Sequence, residues 1–165
     1  MRPPQDYTLD ALRQMIGVSE IYQRNMFDKD LMGMNSHQFI DQFCTVKLMG
    51  PRGCGHSTSL IQLVKERFSN WVAIIVPDRD YNNRYLEQRI RQIWGHRHRI
   101  LVVRGWRPRG TPENPTWQPE HIDAIMIDNA SYWDDQQLKR IRIDTIRTAE
   151  WHIKKKIPFF YIEVQ

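Results

Sequence analysis

Residues 45–60 read Thr45-Val-Lys-Leu-Met-Gly50-Pro-Arg-Gly53-Cys-Gly55-His56-Ser57-Thr-Ser-Leu60, and the reading of this stretch decides the fold. A short apolar run, Val46, Leu48 and Met49, predicts a strand over 45–49. A helical pattern over 57–68 follows, with Leu60, Ile61, Val64 and Phe68 on one face. Glycines stand between them at 50, 53 and 55. Glycine reaches backbone angles that other residues avoid and lets the chain approach an anion closely. Successive amides leading into a helix N-terminus make a nest for negative charge. Ser57 can cap that helix or put its hydroxyl on a metal ion. The plainer alternative is a glycine-rich turn that feeds a helix.

A second stretch favours the anion site. Residues 122–129 read Ile122-Asp-Ala-Ile-Met-Ile-Asp128-Asn129. An apolar strand over 122–127 ends in a carboxylate that can hold Mg²⁺ directly or through water. Alone, this is also an ordinary strand followed by an Asp-Asn turn. The two stretches together resemble the Walker A and Walker B elements of P-loop NTPases, G-x-x-x-x-G-K-[ST] followed by an apolar strand with a terminal Asp. The resemblance implies that Gly50, Pro51, Arg52, Gly53, Cys54, Gly55, His56, Ser57 and Thr58 bind nucleotide, and that Ser57 and Asp128 hold Mg²⁺ beside ATP. His56 stands in the place of the lysine. An imidazole is shorter than a lysine side chain and, unlike an ammonium, mostly neutral at pH 7.

The composition fits one globular domain. The 165 residues suffice for a core, and 41% hydrophobic content is far from that of a disordered chain. No apolar run reaches the length of a membrane span, and Met1-Arg-Pro-Pro-Gln-Asp6 has no signal-peptide core. Cys44 and Cys54 form no disulfide framework, which predicts a reducing cytoplasm, and no Cys/His spacing suggests zinc. The net charge of +5 is compatible with nucleic acid as a partner.

Along the chain, residues 1–7 read as a loose tail and residues 8–43 carry helical patterns, with Leu9, Leu12, Met15 and Ile16 first, then Ile21, Tyr22 and Met26. A turn is expected near Gly33–Asn35, then a short helix capped by Ser36; the methionines here read as core filler. This helical segment, 1–44, packs on a domain formed by 45–165. There, strands over 71–77, 99–103, 122–127 and 158–164 alternate with helices over 81–94 and 134–155 and a loop over 104–120. Five apolar strands separated by crossovers predict an α/β three-layer sandwich with a mostly parallel five-stranded sheet. Its phosphate loop lies at the carboxyl ends of the strands.

The order of elements over about 45–164 resembles the RecA-like type of P-loop domain, as in the first domain of superfamily 1 and 2 helicases and in the ATPase domain of viral large terminases. Ile74-Ile-Val-Pro77-Asp-Arg79 looks like the strand-end motif that contacts nucleic-acid backbone in helicases, which implies such a role for Arg79. Asn129 stands where that family has the water-activating glutamate, and an amide cannot act as that base. The last strand, in the place of the coupling motif, ends Ile162-Glu163-Val164-Gln165 without a Ser-Ala-Thr. A further departure is expected: with 165 residues making one domain, neither a second RecA-like domain to supply an arginine finger nor a terminase nuclease domain is expected. The resemblance implies a site with weak or no hydrolysis, catalytic positions 56, 128 and 129 being altered or unsupported, in a viral protein linked to DNA packaging or replication and acting in host cytoplasm.

Two basic features are candidates for a nucleic-acid or protein partner. The loop after residue 103 interleaves Arg104, Arg107 and Arg109 with Trp106 and Trp117, and arginine can hold phosphate while an aromatic stacks on a base. A solvated loop held by packed tryptophans is the alternative. On the helix expected over 134–155, Leu138, Ile141, Ile146, Ala149 and Ile153 form a core stripe; Arg140, Arg147 and Lys154 lie opposite, with Ile143 and Trp151 among them. Those two apolar residues either meet a partner or pack under the N-terminal helices. Three functions compete: the degenerate ATPase-like binder, an active nucleic-acid-dependent ATPase using Arg52 or His56 with Asp134, Asp135 or Glu163 as base, and a small-molecule kinase.

Overall fold

A computed structural model of the chain describes residues 3–51, 53–77, 80–105 and 121–165, with side chains at 80–83 set aside. Its helices are α1 (Pro4–Asp28), α2 (Ser36–Phe39), α3 (His56–Arg67), α4 (Asp80–Trp94), α5 (Asp135–Asp144) and α6 (Ile146–Lys154), and its strands β1 (Thr45–Leu48), β2 (Trp71–Val76), β3 (Ile100–Arg104), β4 (Ile122–Ile127) and β5 (Phe160–Val164). The strands form one sheet in the order β1-β5-β4-β2-β3, and every pairing is parallel. The architecture is therefore α/β, with a sheet that is parallel throughout.

The sheet is apolar on both faces because both are covered. On one face Val46, Val72, Ile74, Met126 and Ile162 pack against Leu9, Leu12 and Ile16 of α1 and Leu60, Ile61 and Val64 of α3. On the other, Ala73, Ile75, Ile125, Ile127 and Tyr161 pack against Phe27, Phe39, Leu138, Ile141 and Ile153. Successive strand residues alternate between the two cores, as the two-residue period of a strand requires.

Several expected boundaries move, each for a local reason. The N-terminal tail is helical from Pro4: proline at the first helical position leaves no amide unsatisfied and comes with its φ already set. α1 then runs unbroken to Asp28, and Ile21 and Tyr22 lie on its exposed side. Asn35, not Ser36, caps α2; its side chain accepts from the Gln38 amide while Gln38 accepts from the Asn35 amide. Met32 is 71% exposed and is no core filler. The long helix expected over 134–155 is two helices. Thr145, between them, turns its hydroxyl onto the Ile141 and Arg142 carbonyls at 2.9 and 3.1 Å. Such back-bonding competes with the helical ladder.

Candidate functional site

In a parallel sheet all carboxyl ends lie at one edge, and here three of them converge. After β1 the Gly50 amide donates to the Gln165 carbonyl at 3.1 Å, and the Gln165 amide donates to the Leu48 carbonyl at 2.9 Å. The end of β5 thus lies directly beside the glycine-rich loop. After β4 the Asp128 amide donates to the Ile75 carbonyl at 3.0 Å, which fixes Asp128 at the mouth of the sheet.

The loop adopts the backbone its glycines permit. Gly53 and Gly55 have φ of 84° and 75°, and Gly55 is the residue that caps α3. His56, Ser57 and Thr58 are the first residues of α3, so the helix N-terminus faces the loop. The His56 imidazole folds back over the start of the loop: a methyl group at Gly50 would lie 2.8 Å from its Nε2. Pro51 is exposed, Cys54 is a half-buried free thiol, and Arg52 lies outside the described residues.

The closest link between the two stretches is a hydrogen bond. Ser57 Oγ donates to Asp128 Oδ2 at 2.6 Å. Asp128 is 3% exposed, and its Oδ1 is buried with no hydrogen-bond partner among the described residues. Burial pushes the Asp128 carboxyl above the usual carboxylate range; the Ser57 hydroxyl, the Asn129 backbone and the His56 charge oppose this. A buried acceptor with a free lone pair beside a helix N-terminus is open to a proton or a cation. Asn129 follows in the left-handed region, φ 54°. That conformation is one Asn tolerates better than most residues.

A cavity of about 320 Å³ opens beside the loop, without Asp128 itself in its lining. His56, Ser57 and Asn129 line it, as do Tyr85 from α4, Tyr132 just beyond β4 and the end of β5 at Gln165. The motif reading missed Tyr85, Tyr132 and Gln165. Tyr132 lies close enough to Asp128 in the chain to invite notice, but nothing local marks Tyr85.

Sequence reading also missed the brace behind the loop. Thr8 Oγ1 donates to the Cys54 carbonyl at 3.1 Å, and Ser59 Oγ donates to the Gln5 carbonyl at 3.0 Å. A Cβ at Gly55 would meet Gln5 Cβ at 2.7 Å. The first turns of α1 thus hold the loop from outside.

The other candidates lie apart. Glu163 is buried on the face of α5, with Oε2 3.0 Å from Lys47 Nζ and Oε1 3.9 Å from Arg142 Nε. Asp134 caps α5 by accepting from the Gln137 amide at 2.7 Å, and Asp135 is exposed in the first turn of that helix. None of the three lines the cavity. Arg104 is exposed and paired with Glu87 at 2.7 Å. Arg79, Trp106, Arg107 and Arg109 lie outside the described residues. Arg140, Arg147 and Lys154 are exposed as expected, but the break at Thr145 divides them between two helices. Ile143 is 44% exposed and lines a cleft with His37 and Ile40, while Trp151 is half-buried with its ring 4.9 Å from that of His152. Among the described residues no group of three or more His, Cys, Asp or Glu is placed to hold a metal, and no helix is long and apolar enough to cross a membrane. No protein-family model, curated protein or solved structure matches the chain.

Proposed function

We propose that the chain is a RecA-like P-loop protein with a damaged site, which binds a nucleotide phosphate at Gly50–Ser57, hydrolyses it slowly or not at all, and acts through nucleic acid or a protein partner. The observation that carries this reading is the 2.6 Å bond from Ser57 to the buried Asp128, two residues 71 positions apart that the motif requires to meet. The sheet order adds support, with β5 inserted between the strand of the loop and the strand of Asp128. That is where a helicase-like coupling strand belongs.

The residues fit a magnesium nucleotide in part. Ser57 Oγ and the Oδ1 of Asp128, unpartnered among the described residues, offer oxygen donors, and Mg²⁺ in such sites takes its other ligands from water and phosphate, so few protein ligands suffice. When bound, the ion would offset phosphate charge. The amides of Gly55, His56 and Ser57 lie at the start of α3, where a helix favours an anion. What the site lacks is a permanent positive charge at 56 and a carboxylate base at 129. The other carboxylates named for that role are committed to Lys47 or to the start of α5, which favours the weakly hydrolytic reading over an active ATPase. A phosphate-release assay on purified protein tests it. Turnover well below about 1 s⁻¹, the low end of ordinary enzymes, is expected; faster turnover that His56→Ala removes would sink the reading. For the nucleic-acid arm, binding to single-stranded DNA should weaken steeply with salt and lose slope when Arg107 and Arg109 become Ala.

A further inference from the structure

Helix α1 has a second face that the described residues leave bare. Leu9, Leu12, Ile16 and Phe27 are buried on the inner side. On the outer side Gln14, Val18, Ile21 and Asn25 are exposed, in the four-three-four spacing with which one helix faces another. Val18 and Ile21 are 53% and 60% exposed, and Tyr22 beside them 55%. A groove of about 450 Å³ flanks the Gln14–Val18 half of the stripe, walled by Met15, Val18, Tyr22, Phe43 and Val46. The charges around the stripe are already satisfied within the chain: Arg13 pairs with Glu66 at 2.8 Å, and Arg24 pairs with Glu20 at 2.8 Å, where Arg67 also reaches.

We propose that this face docks a second copy of the chain, α1 antiparallel to α1. A twofold axis between Val18 and Ile21 sets Val18 against Ile21 of the partner subunit, and Gln14 against Asn25 of the partner subunit. Apolar then meets apolar at the centre and amide meets amide on either side. The order amide, apolar, apolar, amide is self-complementary, as an isologous interface requires. Tyr22 comes to the groove beside Met15 of the partner subunit, which buries the ring. None of the four stripe positions holds Asp, Glu, Lys or Arg, so the +5 charge of each copy is not brought face to face there. From Gln14 to Asn25 the stripe is roughly 17 Å long at the helical rise, so the interface is small and the dimer concentration-dependent.

Sedimentation of the full chain from about 1 to about 300 µM, the range of a weak small interface, reads this directly. The mass should rise from 19.9 kDa toward twice that value. Ile21→Glu, at an exposed position that leaves the melting temperature unchanged, should weaken association about tenfold or more. Register is read by cross-linking in a Cys54→Ser background, where Cys44 is buried and does not compete. A mixture of Val18→Cys and Ile21→Cys should form the mixed disulfide faster than either variant pairs with itself. A monomer throughout overturns the proposal. So does a mixed disulfide that forms no faster, or a dimer that Ile21→Glu leaves intact, including one lost instead with Thr45→Pro at the outer edge of β1.

Discussion

Asp128 is the residue on which stability and function pull apart. Its carboxyl is buried, one oxygen has no partner among the described residues, and burial raises its pKa in the folded state. A carboxyl raised on folding contributes most to stability below its unfolded pKa, and that contribution is lost as pH rises through the folded value. At neutral pH Asp128 therefore costs stability relative to acid pH. Asp128→Asn should raise the melting temperature at pH 7, by on the order of 1 kcal/mol of stability, and the gain should shrink toward acid pH. Thermal melts of both proteins across pH check this, and an equal difference at every pH would contradict it. His56 carries a prediction of the opposite kind. His56→Lys should bind a polyphosphate more tightly than the wild type at pH 8, because an ammonium reaches farther than an imidazole and stays charged there.

At the scale of elements, α1 and the loop act on one another. Gly55 has φ 75°, and the space a side chain would need is filled by Gln5. Gly55→Ala should cost about 1–3 kcal/mol from backbone strain plus the clash, measured by chemical denaturation. Thr8→Val keeps the shape but leaves the Cys54 carbonyl without its donor, at about 1 kcal/mol. Its loop amides should exchange faster with deuterium while the strands stay protected; unchanged loop protection would contradict the brace. The strands themselves were legible because strands buried on both faces are near-continuous apolar runs, as Trp71–Val76 shows. The loop and Asp128 were legible because their spacing encodes the meeting. The brace was not: that Thr8 reaches Cys54 depends on where α1 packs, and neither residue signals it. The break at Thr145 was hidden for a related reason, since apolar periodicity continues across it while a single hydroxyl turns the chain. The sequence also could not show that Glu163 points away from the cavity, because that depends on strand register.

For the whole molecule, the sheet order brings the ends of β1, β5 and β4 together, and the proposed phosphate site lies where they meet. Two faces of α1 then divide the labour, the inner side bracing that site and the outer side meeting a second copy. On this reading the loop and Asp128 form a magnesium-phosphate site that has kept binding and lost turnover. Titration calorimetry with ATP tests it most directly, run with and without Mg²⁺, on the wild type and on Ser57→Ala. Saturable binding by the wild type that tightens with Mg²⁺ is expected, with loss of that magnesium effect in Ser57→Ala. No heat of binding from the wild type, or binding indifferent both to Mg²⁺ and to Ser57, would contradict it.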